Sequence, residues 1–210
     1  MPLDVNADDL LDRLAIRELV DNWLVYRDAQ DWERFLALWH EGGFTMTTWG
    51  GKATPQEFVE AASKGFERGD RMLHSVGGTS VELAGTRAIS QSKFRIMQRG
   101  PVDGVLCDIT CLGRNYDFFE KRDGRWGLVV RQPIYERDSV VPVDPNDVVT
   151  FDSERLARYP EGYARLAYLQ EGLGYPIKTD MPVLEGLEVE ALKAAGGQWL
   201  AGGELAWPPG

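Results

Sequence analysis

Three stretches in the middle of the chain, 87–99, 105–121 and 125–138, read as β-strands of 13 to 17 residues, far beyond the usual length of about 5 to 6. Strands that long bend or bulge, as they do when a sheet curls round a cavity. Shorter strand-like runs at 72–76 and 79–84 lead into them. Turn residues separate the set at Gly77-Gly78, Ala84-Gly85, Gly100 to Gly104 and Asp123-Gly124. The last of these is a strong hairpin signal, because Asp and Gly both tolerate the positive φ that a tight hairpin turn demands.

Upstream the period is helical. Asn6 offers an N-cap, Asp8 and Asp9 suit the positive first turn, and Leu10, Leu11, Leu14, Leu19, Val20, Trp23 and Leu24 recur at helical spacing. The spacing predicts a helix running to about Asp28. A second, short helix is expected from Asp31, with Trp32, Phe35, Leu36 and Trp39 on one face and Gly42-Gly43 as its stop. Phe44 to Trp49 alternates as a strand. Thr54-Pro55-Gln56-Glu57 combines a capping Thr, Pro at the first helical position and Glu three residues after the cap, and the helix it opens should fade between Gly65 and Gly69. Helices followed by a run of antiparallel strands give an α+β fold in which the helices cover one face or one opening of the sheet.

Beyond Val140 the texture changes. Pro142, Pro145, Pro160, Pro176, Pro182, Pro208 and Pro209 punctuate two helical candidates, Glu161–Glu171 and Leu187–Leu200. The expected division is a main domain over 1–143 and an extension over 144–210. A tail of about 65 residues is small for a domain of its own, so it should pack on the same globule, cover a pocket mouth or reach a neighbouring subunit.

Charge and cysteine usage narrow the function classes. With 23 Lys and Arg against 33 Asp and Glu, the net charge is −10, which repels phosphate backbones and anionic lipid. Neither nucleic acid nor membrane is expected as a partner. No stretch approaches the roughly 18 apolar residues of a membrane span, and residues 1–20 lack the basic-then-apolar order of a signal peptide, so a cytoplasmic location is expected. Cys107 and Cys111 lie four apart in a strand, about 13 Å on one face, too far for an unstrained disulfide, and read as reduced core thiols. His40 and His74 are the only histidines and no Cys/His cluster exists, so no metal is expected.

Three residues could carry chemistry. Asp28 continues the helical row of Val20 and Leu24, placing a carboxylate on an apolar face; the alternative is that it bounds the turn at Ala29-Gln30-Asp31. His74 lies in the short strand MLHSV. A buried Asp needs a partner, and a histidine donating Nδ1–H to it would keep Nε2 free as a base. Arg131 shares a strand face with Val129, Pro133 and Tyr135, while Leu128, Val130 and Ile134 take the other, as expected if the more polar set looks into a cavity. Arg114 and Asn115 compete for the same cavity, since neighbouring strand residues point to opposite faces. Tyr26, Trp39, Trp49, Asn115 and Tyr135 are the expected substrate-binding residues.

The element order, the segment LLDRLAIRELVDNWLVYRDAQDWERFLALW and the run FFEKRDGRWGLVVRQ resemble the SnoaL-like branch of the NTF2-like superfamily over residues 7–143. That resemblance implies an NTF2-like cone, a curved sheet with three N-terminal helices enclosing a pocket. In hexachlorocyclohexane dehydrochlorinase, a member of the branch, an Asp at the end of the first helix pairs with a His in the strand after the third helix. Asp28 and His74 match those positions, and Arg131, after the RDG turn, matches an arginine that assists leaving-group departure. The resemblance also implies association into dimers or trimers.

The expected activity is a cofactor-independent lyase. A His74–Asp28 dyad would remove a proton and Arg131 would stabilise the departing group, on a hydrophobic, aromatic small molecule such as a polyketide-like or lignin-derived diaryl compound. Scytalone dehydratase and the formaldehyde-releasing lyases of this branch mark the range. The alternatives are a non-catalytic small-molecule-binding or assembly module, or an isomerase, cyclase or hydrolase in the same pocket. Asp28 is expected to raise the His74 pKa above the ordinary value of about 6.5.

Overall fold

The computed structural model describes residues 6–208, so Pro209 lies outside the described residues. Asn6 accepts the Asp9 amide at 2.8 Å and opens α1 (Ala7–Asp28), whose buried row is Ile16, Val20, Trp23 and Arg27. Asp31 caps α2 (Trp32–Ala37), and the Thr54–Glu57 capping box opens α3 (Pro55–Arg68). The strands are β1 (Trp39–Thr47), β2 (Gly51–Ala53), β3 (Arg71–Ala84), β4 (Arg87–Val102), β5 (Val105–Arg122) and β6 (Arg125–Pro142). They form one curved sheet in the order β2-β1-β6-β5-β4-β3, antiparallel except for the β1–β6 pair. The α+β cone expected from the sequence is the observed fold.

Local expectations fail where glycine pairs look like punctuation. Gly77-Gly78 makes no turn: Val76 pairs with Phe94 and Thr79 with Ser92, so two residues oppose one in a bulge inside a continuous 14-residue strand. Gly42-Gly43 does not end α2. That helix stops at Ala37, and the glycines lie in an irregularity of β1, between Trp39, paired with Leu128, and Phe44, paired with Val130. The wide turn expected at Gly100 to Gly104 contracts to Asp103-Gly104, with φ of 47° and 92°, matching Asp123-Gly124 with 49° and 79°.

The tail supplies α4 (Ser153–Leu156), a 3₁₀ turn (Glu161–Tyr163), α5 (Ala164–Gly172) and α6 (Leu187–Leu200). The sheet face carrying Asp117 and Arg131 is the front; α1 and α3 cover one end of it and α5 the other. α6 lies on the back, where Trp199 meets Phe118 at 6.3 Å and the Trp207 indole donates to Gln132 at 3.0 Å. A Cβ at Gly196 would run into the Tyr116 ring, so only glycine lets α6 come this close. β6 is therefore buried on both faces over most of its length; Arg131, Pro133 and Tyr135 border the cavity, while Leu128, expected on the opposite face, packs with the α1 core. Cys107 and Cys111 are buried free thiols. Among the described residues no helix is long and apolar enough to cross a membrane.

Candidate active site

The end of α1 and the beginning of β3 meet at one carboxylate. Asp28 accepts the His74 ring Nδ1–H at 2.7 Å through Oδ1 and the His74 backbone N–H at 2.6 Å through Oδ2. It does not cap the following turn; Asp31 does that work for α2. Arg27 adds a donor to Oδ1 at 3.1 Å. Burial works to raise the Asp28 pKa, but the bonds from His74 and the Arg27 charge outweigh it and hold the carboxyl below its ordinary value. An ionised carboxylate only accepts, so Nδ1 must carry the ring proton and Nε2 is left with a lone pair. Nε2 makes no hydrogen bond among the described residues, and the ring borders the cavity.

The expectation that Asp28 raises the His74 pKa does not hold. Burial is the largest influence and lowers it; the Asp28 hydrogen bond opposes this, and the Arg27 and Arg131 charges add to the lowering. A pKa held below the ordinary histidine value favours the neutral imidazole.

Arg131 lies on the cavity floor, nearly inaccessible to solvent, and is held in a fork. Its Nε donates to Asp117 Oδ1 at 3.0 Å and Nη2 to Oδ2 at 2.7 Å, while Nη1 has no partner among the described residues. Burial pulls the Asp117 pKa upward and the guanidinium opposes it. Trp23 joins the two pairs, with Arg131 over its ring at 4.4 Å and His74 edge-on at 6.1 Å.

Of the other expected residues, Asn115, Trp49 and Tyr135 line this cavity. Arg114 points to the other face and pairs with Glu136 at 3.5 Å, which settles its competition with Asn115. Tyr26 and Trp39 are not brought in. Tyr26 lies beneath Arg34 at 5.9 Å, and Trp39 packs on Phe35 and lines a separate surface groove beside His40.

Sequence reasoning missed Arg27, Asp117 and Gln170. Arg27 was detectable, because it continues the buried row Ile16, Val20, Trp23 by another four residues. Asp117 was hidden by a bulge. Pairing from Arg122–Arg125 steps evenly to Phe119–Leu128, then shifts so that Phe118 meets Val130 and Asp117 meets Arg131. Even pairing would have put Tyr116 opposite Arg131 and Asp117 on the wrong face. Gln170 reaches the cavity from α5, where nothing in its local pattern marks it. Among the described residues no three His, Cys, Asp or Glu side chains gather as a metal site would need.

Comparison with known proteins places the chain. A SnoaL-like domain model matches residues 8–132. A PEP2-like protein of Fusarium vanettenii is 40% identical over 176 residues, spanning 82% of this chain and 76% of its own length. Pea pathogenicity protein 2 of the same fungus is 38% identical, spanning 82% of this chain and 75% of its own. Among solved structures, a hexachlorocyclohexane dehydrochlorinase from Novosphingobium barchaimii aligns over 68% of this chain and 97% of that chain, with TM-score 0.54 and 16% identity. A Mycobacterium tuberculosis protein of unknown function aligns over 86% of this chain and 98% of that one, with TM-score 0.53 and 18% identity. The structural neighbours share the fold, the sequence matches share the family, and the chain belongs to the SnoaL-like domain family.

Proposed function

We propose that the chain is a cofactor-independent lyase in which neutral His74 is the general base. The observation that carries this reading is the 2.7 Å bond from Nδ1 to an Asp28 carboxylate whose second oxygen is fixed by the His74 amide. One residue holds both the ring and the backbone of the base, so Nε2 is presented to the cavity in a single tautomer. Fold neighbours named as dehydrochlorinases support an elimination.

His74 Nε2 takes a proton from carbon, the freed electron pair forms a double bond, and a hydroxyl or halide leaves with its own pair. Where the proton comes from a hydroxyl, the freed oxygen pair closes the carbonyl of formaldehyde, the pair of the broken carbon–carbon bond forms the alkene, and a benzylic hydroxyl leaves with its own pair. Arg131 Nη1, unpartnered among the described residues, and the Asn115 amide are the donors that meet the departing oxygen. Trp23, Trp49, Phe58 and Phe94 line the cavity and suit a flat aromatic molecule. Asp28 stabilises the imidazolium as it forms.

The test is incubation with a phenolic diaryl propanediol, assaying formaldehyde and a stilbene. His74→Ala should cost roughly 10²–10⁴-fold in rate, and Asp28→Asn a smaller factor, with folding verified by circular dichroism. Near wild-type turnover in both variants would remove the dyad. Ligand binding without turnover in the wild type would favour a binding module instead.

A further inference from the structure

The cavity is lined differently at its two ends. Near α1 the lining includes the charged Arg27 and Arg131 and the His74 ring, which is held from behind by the Asp28 carboxylate. Near α5 they are neutral. Thr48, just past β1, donates its hydroxyl to Gln170 Oε1 at 2.8 Å, and Gln170 Nε2 donates to Gln98 Oε1 at 3.1 Å. All three side chains are buried, Thr48 and Gln170 border the cavity together with Tyr135, and Gln98 Nε2 has no acceptor among the described residues. Burial pushes the Tyr135 phenol far above its ordinary pKa, so it stays protonated and able to donate.

Attachment of α5 does not require this chain of amides. Asp138 already receives the Arg165 and Leu166 backbone N–H groups at the start of α5, and Leu166 and Leu169 bury their side chains against the sheet. The Gln170 amide carries two N–H groups and Gln98 accepts one, so a buried amide bordering the cavity keeps a donor that is unfavourable unless something accepts it.

We propose that the α5 end of the cavity is a second polar subsite, in which Gln170, Thr48 and Tyr135, with Gln98 orienting the Gln170 amide, hydrogen-bond a neutral hydroxyl or carbonyl oxygen of the ligand. The proposal rests on the cavity being where substrate binds. These groups offer donors and acceptors but no charge, so a carboxylate or an ammonium group does not fit there. Residue 170 lies outside the segment matched by the SnoaL-like model, so the tail completes a subsite whose Thr48 belongs to the shared cone.

p-Cresol and toluene differ by one hydroxyl and serve as the probe pair, titrated by NMR against the full chain. The wild type should bind p-cresol roughly tenfold more tightly than toluene, and Gln170→Leu should reduce that ratio to about threefold or less. Thr48→Val should act in the same direction, and it decides the matter if thermal melting shows Gln170→Leu unfolded. The base assignment is read separately, from the turnover of His74→Ala, and the ratio measured in Gln170→Leu and Thr48→Val does not depend on it. Equal affinity of the wild type for the two probes, binding of neither, or an unchanged ratio in folded Gln170→Leu and Thr48→Val would overturn the proposal.

Discussion

Two aspartates stand behind the same cavity, and each holds one of the residues that line it, a basic or cationic partner, in a different way. Asp117 is inaccessible to solvent and grips Arg131 through two parallel bonds, so neither group has anywhere to send its charge. Asp28 is 17% exposed in its side chain and holds a neutral imidazole through one ring bond and one backbone bond. The first arrangement is a fixed electrostatic floor. The second is a proton-accepting device whose charge state is meant to change. Burial is harsh on both, and only the partner differs: a guanidinium is always charged, whereas an imidazole can lose its charge and keep its bond.

The comparison breaks first at Asp117. Asp117→Ala leaves Arg131 buried without a counter-charge and should destabilise the fold by roughly 3–5 kcal/mol, measured by urea unfolding. Asp28→Ala should cost clearly less, since it leaves a neutral ring behind; equal losses would mean that the two pairs are alike.

A smaller effect is the pH dependence. The folded His74 pKa is below the unfolded value of about 6.5, so below that pH the unfolded chain takes up protons that folded His74 refuses. The stability contribution is complete above about 6.5 and declines as pH falls toward the folded pKa. The rate should follow the same direction, staying flat through neutrality and falling only on acidification below the ordinary histidine range. An acid limb above that range in a chemistry-limited assay would contradict the burial argument.

The smallest effect concerns Arg27, whose charge helps keep His74 neutral. Arg27→Met should move the acid limb of the rate profile toward higher pH while leaving its plateau within a few-fold, since the dyad bonds remain. A limb that does not move would assign Arg27 to packing against Phe66 alone.

Much of this was legible in the chain because the signals were local. Asn6, the Thr54–Glu57 box and Asp123-Gly124 each act over three or four residues, and each fixed a boundary that the structure shares. The run Leu187–Leu200 was likewise visible as a helix. What escaped depends on distance. Gly42-Gly43 and Gly77-Gly78 resemble stops until a partner strand is present to turn them into bulges. Trp39 and Tyr26 have the right composition for a binding wall, but their directions are set by the packing of α2. Asp28 and His74 stood out because each was anomalous in its own setting, whereas Asp117 became meaningful only through Arg131.

The irregularity at Val129 has a consequence for how this hairpin can vary. Toward the turn, β6 presents even-numbered residues, Trp126 and Leu128, to the core shared with α1; beyond it, odd-numbered residues, Arg131, Pro133 and Tyr135, face inward. The bulge acts like a reading-frame shift in a two-letter alphabet of inward and outward. Substitutions at Val129 change one side chain. Deletion of that one residue would leave a regular ladder with Arg131 still opposite Asp117 and facing inward, whereas keeping Val129 and pairing it evenly would turn the arginine, the proline and the tyrosine out of the cavity together. The chemistry of this wall therefore depends on a residue count as much as on residue identity.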